Sequence, residues 1–162
     1  MQQNKEDFIR TIKANEGIIY KITHIYARNE EERKDLYQEI VYQLWKSYPS
    51  FQGKSKISSW LYRVALNTSI AHLNRAKRTK YTLLDDFELG NIEDPEDSEF
   101  RDRMQVLYDH IYRLNVVEKG LILLYLEGKN YEEMAFITGF SVTNVGTRLG
   151  RIKQKLKTNI KK

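Results

Sequence analysis

Apolar positions recur at helical rather than alternating spacing along most of this 162-residue chain, and the pattern predicts an all-α protein. Residues 5–28 predict one helix or two, with Phe8, Ile12, Ile19, Ile22 and Tyr26 on one face and Gly17 as a candidate break. The polar run 29–34 turns or opens the next helix. From Asp35 to Tyr48 the pattern is strongly amphipathic: Leu36, Ile40, Val41, Leu44, Trp45 and Tyr48 form a stripe to bury, and Asp35, Gln38, Glu39 and Gln43 form a polar face. Pro49, with no N–H to donate, ends that helix. A short loop, SFQGKSK (Ser50 to Lys56), leads to a second long helix from Ile57 to about Arg78. There Ile57, Trp60, Leu61, Val64, Ala65 and Thr68 face inward, while Arg63, Asn67, Asn74 and Arg78 share another face.

Residues 81–103 have weak periodicity and the only other proline, Pro95, and read as an interdomain linker. Helix resumes from Met104 to Arg113, and again from Val117 to Leu126 as a buried helix built on Leu121, Leu124 and Tyr125. The organisation is therefore two small helical domains, 1–80 and 104–162, joined by a linker at 81–103.

The stretch YEEMAFITGFSVTNVGTRLGRIKQKLK, Tyr131 to Lys157, carries the sharpest signal. A short helical run to Thr138 meets Gly139-Phe140-Ser141, and a longer run follows. Gly139 can take a positive φ after the first helix, and Ser141 can cap the second through the N–H of Thr143 or Asn144. Two helices joined by a short Gly-containing turn make a helix-turn-helix pattern. In the second helix Val145, Leu149, Ile152 and Leu156 form a narrow apolar stripe. Thr143, Asn144, Thr147, Arg148, Arg151 and Lys155 supply hydrogen-bonding groups near its start and cations along its length. Such a helix suits the major groove of a duplex; a solvated basic helical hairpin is the plainer alternative.

Charge distribution sharpens this picture. Residues 1–80 hold 15 basic and 8 acidic side chains, net +7; residues 81–103 hold 2 and 9, net −7; residues 104–162 hold 10 and 5, net +5. Two basic blocks suggest two contacts with a polyanion, and the acidic segment between them would be repelled by it. No acid lies between Lys46 and Lys80, where Arg75, Lys77 and Arg78 end the long helix. Cysteine is absent, which removes disulfides, a thiol nucleophile and a Cys-based zinc site. His24, His72 and His110 are scattered without metal-ligand spacing, and no GxxxxGK[ST] loop occurs, so the sequence asks for no metal or cofactor and points away from an enzyme. Charged residues interrupt the start of the chain, and no apolar run approaches the roughly 18 residues of a membrane helix.

Two stretches of the first domain, DLYQEIVYQLWKSYPSF (Asp35 to Phe51) and SSWLYRVALNTSIAHLNRAKR (Ser58 to Arg78), and one of the second, Leu114 to Lys157, come in an order and spacing that resemble bacterial RNA polymerase sigma factors of the extracytoplasmic-function class. These small factors keep sigma domains 2 and 4. The resemblance implies that Asp35, Gln38, Glu39 and Gln43 dock on the coiled coil of the polymerase β′ subunit. It implies that Phe51, Gln52, Gly53 and Lys54 in the loop, with Arg63 and Asn67 on the helix, hold the opened non-template strand of the promoter −10 element, and that Arg75, Lys77 and Arg78 hold phosphates. Thr143, Asn144, Thr147, Arg148 and Arg151 match the positions that read the −35 duplex, and domain 4 of the family rests on the β flap. It further implies a cytoplasmic protein, with an anti-sigma partner, commonly at the membrane, as a frequent companion. The chain departs from the family pattern at Asn115, where proline is usual, and at Gly146, Gly150 and Ala71.

Holding an unpaired base requires stacking, edge hydrogen bonds and cations along the backbone. The SFQGKSK loop offers an aromatic, an amide, a flexible glycine and two lysines, although Phe51 could equally tuck into the core. Trp60, on the apolar stripe, reads as core; Tyr62, off it, fits either role. Strand opening is then a trapping event without ATP. A dimeric helix-turn-helix regulator that acts without polymerase is the competing reading, and it predicts tight binding to paired duplex half-sites.

Overall fold

The computed structural model describes residues 2–51, 53, 56–80 and 98–161, with side chains over 5–51, 53, 56–75 and 105–159. The described residues form eight α-helices and no strand. The chain divides into two units, Met1–Tyr81 and Thr82–Lys162.

The first unit contains α1 (Gln2–Ala14), α2 (Glu16–Tyr26), α3 (Glu30–Ser47) and α4 (Ile57–Lys80). The expected break at Gly17 lies instead at Asn15, whose side-chain amide donates to the Thr11 carbonyl at 2.8 Å and so satisfies an end carbonyl of α1. Helix α3 starts at Glu30, ahead of the expected Asp35. Asn29 caps it by accepting from the Glu32 N–H at 2.8 Å, and Glu30, Glu31 and Glu32 place negative charge on the positive end of the helix dipole. The helix ends at Ser47, and a 3₁₀ turn at Tyr48–Ser50 carries Pro49.

Helices α2, α3 and α4 pack against one another. Their core is Ile19, Ile22, Ile25 and Tyr26 from α2, Leu36, Ile40 and Leu44 from α3, and Leu61, Tyr62, Ala65 and Leu66 from α4. The α3 stripe is narrower than its sequence suggested. Trp45 is 42% exposed and lies edge-on to Phe8 with ring centroids 5.0 Å apart, covering the core rather than entering it. Tyr62 is core, at 2% exposure. The buried hydroxyls of Thr68 and Ser69 donate to the carbonyls of Val64 and Ala65 at 2.7 and 2.8 Å, so α4 buries them without leaving a donor unsatisfied.

The second unit contains α5 (Ser98–Tyr112), α6 (Val116–Leu126), α7 (Tyr131–Thr138) and α8 (Val142–Lys161). Helix α5 begins inside the segment expected to be linker: residues 98–103 are helical, and 81–97, Pro95 among them, lie outside the described residues. Asn115 and Asn130 each form a reciprocal capping box, with Glu118 and Glu133 respectively. The asparagine where the family usually has proline thus starts α6 by a different device, accepting the Glu118 N–H at 2.8 Å. Helix α6 buries Leu121, Ile122, Leu123 and Leu124 in succession, as a helix surrounded by neighbours must. Tyr125, expected in that core, is 40% exposed; the Lys153 ammonium lies 4.0 Å from its ring centroid.

Candidate nucleic-acid interface

The helix-turn-helix of the second unit is built by its turn. Gly139 has φ 86° and ψ 1°, a left-handed conformation that costs glycine no side-chain clash, and its N–H donates to the Ala135 carbonyl at 2.8 Å. The Asn144 N–H then donates to the Ser141 hydroxyl oxygen at 3.1 Å, capping α8. Val145, Leu149, Ile152 and Leu156 are buried against the rest of the unit, which commits the opposite face of α8 to the outside.

On that outer face Thr143, Thr147 and Arg151 are exposed, and Asn144 and Arg148 are half-buried. Thr147 donates its hydroxyl to the Thr143 carbonyl at 3.1 Å. Arg148 is held twice: its Nε donates to Asn144 Oδ1 at 3.2 Å, and its guanidinium lies 4.5 Å from the Phe140 ring centroid. Lys155, the last cation of the predicted set, binds the Glu118 carboxylate at 3.0 and 3.1 Å and so ties α8 to the start of α6. Burial would raise the Glu118 pKa, but the Asn115 N–H and the Lys155 ammonium outweigh it and hold the carboxyl below its usual range. Gly146 accommodates a neighbour: a Cβ there would stand 3.3 Å from Tyr131 Cε2, whereas one at Gly150 would meet open space.

In the first unit the predicted polymerase face lies on α3, with Asp35 and Gln38 exposed and Glu39 and Gln43 half-buried. The predicted strand-binding face lies on α4, where Arg63, Asn67 and Arg75 are exposed. The fold brings one member of each set together: Arg75 Nη2 is 2.6 Å from Glu39 Oε2. His72 Nδ1 stands 3.4 Å from Glu39 Oε1. In the loop, Phe51 is half-buried with its ring centroid 5.1 Å from Trp60, and Trp60 in turn is 6.0 Å from Tyr48. Gly53 adopts φ 70°. Gln52 and Lys54, and the side chains of Lys77 and Arg78, lie outside what is described.

Sequence reasoning missed His72, Phe140 and Glu118 as partners of site residues. His72 and Arg75 share a face of α4 by their spacing of three, a visible signal; their meeting with Glu39 depends on how α3 and α4 are set against each other, which spacing does not state.

Comparison with known proteins gives these two sites a common context. Residues 11–79 match the sigma-70 region 2 family and residues 112–156 match sigma-70, region 4. Among curated relatives, the RNA polymerase sigma factor YlaC of Bacillus subtilis is 31% identical, over 87% of this chain and 86% of its own length. The RNA polymerase sigma factor SigV of the same organism is 24% identical, over 99% of this chain and 95% of its own. The ECF RNA polymerase sigma-E factor of Haemophilus influenzae is 28% identical, over 86% and 79%. In fold, the chain resembles the sigma factor RpoE, solved in complex with the anti-sigma factor NepR from Bartonella quintana, with a TM-score of 0.71, 17% identity and coverage of 99% of this chain and 98% of that one. It also resembles CnrH, solved with the cytosolic domain of CnrY, with a TM-score of 0.69, 18% identity and coverage of 97% and 89%. With one sigma-70 region matched in each unit and a relative of this identity aligned along most of its length, the chain belongs to the extracytoplasmic-function class of RNA polymerase sigma factors.

Proposed function

We propose that this sigma factor binds core RNA polymerase through Asp35, Gln38, Glu39 and Gln43 on α3, and that polymerase then carries its two DNA-binding faces to a promoter. Domain 2, residues 1–80, holds the opened −10 non-template strand with Phe51, Gln52, Gly53, Lys54, Arg63 and Asn67, and holds phosphates with Arg75, Lys77 and Arg78. Domain 4, residues 104–162, reads the −35 duplex with Thr143, Asn144, Thr147, Arg148, Arg151 and Lys155. The acidic segment 81–103 connects them. Opening is a capture of the unpaired strand, in which an everted base regains part of its lost stacking, a few kcal/mol, in the pocket that receives it.

The observation that carries this reading is that each sigma-70 region contains a helix face bearing cations and an amide: region 2 holds Arg63, Asn67 and Arg75, exposed on α4, and region 4 holds Asn144, Arg148 and Arg151 on α8. A cytoplasmic location, and an anti-sigma partner holding the chain at the membrane, accord with the family; among the described residues no helix is long and apolar enough to cross a membrane.

Capture of core RNA polymerase by the purified protein, followed by run-off transcription from a promoter library, tests the proposal. The expected result is a stable complex that initiates at a defined subset of promoters. Tight binding to paired duplex half-sites with no affinity for core polymerase would overturn it in favour of a dimeric regulator.

A further inference from the structure

A series of aromatic rings runs through the first unit from α1 to the residue that follows the 3₁₀ turn. Phe8 lies edge-on to Trp45 and to Tyr48, with ring centroids 5.0 and 5.3 Å apart. Tyr48 lies 6.0 Å from Trp60, and Trp60 lies 5.1 Å from Phe51. All of these spacings fall in the range in which aromatic pairs attract. Tyr48 also holds Phe51 through the backbone: its carbonyl accepts the Phe51 N–H at 3.0 Å and closes the turn. Phe8 is 6% exposed, whereas Phe51 is half-buried and keeps part of its surface in solvent. Phe8 is thus a wedge set against the end of α3, where the chain leaves toward α4. Among the described residues of α1 only Phe8 and Ile12 are buried, and Phe8 precedes residues 11–79, the part that matches sigma-70 region 2.

We propose that Phe8 is a positioning residue for Phe51: it fixes Tyr48, Tyr48 and Trp60 fix Phe51, and α1 thereby sets the ring that meets the opened strand. Protein interiors are close-packed, so a side chain shortened at Phe8 leaves Tyr48 room to move. A loosened Tyr48 no longer keeps the turn and Trp60 in one place. Phe51 then spreads over more positions, only a fraction of molecules presents it to a base, and apparent affinity falls by that fraction. One aromatic contact corresponds to about 2–10-fold in an equilibrium constant, which bounds the effect. The inference rests on the assignment of Phe51 to the opened strand, and adds a residue of another helix through which that ring is placed.

The test uses the full chain and a fluorescein-labelled oligothymidine single strand, followed by anisotropy. Phe51→Ala is expected to weaken binding about 5-fold or more, the loss of one base stacked on an aromatic. Phe8→Leu, which keeps an apolar side chain but removes the ring, is expected to weaken it about 2–10-fold. In the Phe51→Ala background Phe8→Leu is expected to cost nothing further, because the ring it places is gone. Ile12→Val thins the other buried contact of α1 without touching a ring, and is expected to leave strand affinity unchanged. An equal loss from Phe8→Leu with and without Phe51, or a loss from Ile12→Val as large as that from Phe8→Leu, overturns the proposal, since either shows a general loosening of the unit. A second measurement needs no DNA. The chain has two tryptophans, so Trp45→Phe leaves Trp60 as the only indole. Adding Phe8→Leu to that variant is expected to make Trp60 more accessible to acrylamide quenching, and unchanged quenching overturns the proposal. If Phe51→Ala binds the strand as the wild type does, the assignment of Phe51 to DNA fails instead, and the Trp60 measurement still decides whether Phe8 fixes its neighbours. Circular dichroism checks that each variant keeps its helix content.

Discussion

The ammonium of Lys155 lies 3.0 Å from the Glu118 carboxylate, joining the C-terminal half of α8 to the first turn of α6 across 37 positions of sequence. The same carboxylate accepts the Asn115 N–H at 3.0 Å, so one side chain both caps a helix and anchors its neighbour. Glutamine can still close a capping box but cannot pair with a cation. Glu118→Gln is therefore expected to cost about 0.5–1 kcal/mol at neutral pH, a figure discounted for a lysine that is 51% exposed. Asn115→Ala, which removes the cap itself, is expected to cost about 1 kcal/mol. Urea unfolding of the two variants checks both values.

Acid should erase the first of these differences. The Glu118 carboxyl titrates below its unfolded value, so the folded state favours its ionised form. That contribution is fully present above the ordinary glutamate pKa of about 4.3 and is lost as pH falls through the lower folded value. Wild type and Glu118→Gln should converge in stability below that value; a gap that persisted unchanged down to about pH 2 would show that the ionised carboxylate is not its source.

Three glycines should respond to alanine in three different ways. Gly139 sits at φ 86°, where a Cβ clashes with its own backbone, so Gly139→Ala is expected to destabilise the unit by about 1–2 kcal/mol. Gly150 is helical with open space where the Cβ would go, so Gly150→Ala is expected to stabilise by up to ~1 kcal/mol. Gly146→Ala should gain less than Gly150→Ala, because its Cβ would press on the Tyr131 ring at 3.3 Å. Thermal unfolding of the three variants ranks them.

Under the proposed −35 reading, Arg148 and Arg151 on the outer face of α8 should differ in kind once a cognate duplex is available. Arg148 is half-buried beside Asn144 in the N-terminal half of α8, the end that the proposed reading sets in a groove. Arg148→Ala is expected to cost about 1–3 kcal/mol and to relax preference at one base position. The exposed Arg151 lies a turn further on; Arg151→Ala is expected to weaken all sequences alike and to lower the salt slope by about 1. Competition titrations with single-base variants of the duplex separate these outcomes.

The helix-turn-helix was largely legible because its determinants are local. Gly139, the Ser141 cap and the Val145, Leu149, Ile152, Leu156 stripe act within a few residues of one another, and the structure realises all three. Helix starts were less legible: polarity at 29–34 left open whether the run turns or opens the next helix, and the Asn29 cap and three glutamates begin α3 there. Residues at the rim of an apolar stripe were least legible. Trp45 and Tyr125 fit the periodicity but are exposed, while Tyr62, off the stripe, is buried. Where a stripe stops depends on which neighbour lies against it, and the pairings of Glu39 with Arg75 and Glu118 with Lys155 depend on the same tertiary placement.

Arg148 is braced before any DNA arrives, by the Asn144 amide on one side and the Phe140 ring on the other. If Arg148 reads a base as proposed, a guanidinium with its rotamers already restricted surrenders little additional freedom on meeting it, which makes the bond to the right partner cheap in entropy. Loosening the brace with Phe140→Ala should then shorten the lifetime of the correct complex far more than it slows encounter, since arrival depends on long-range charge that the substitution leaves intact.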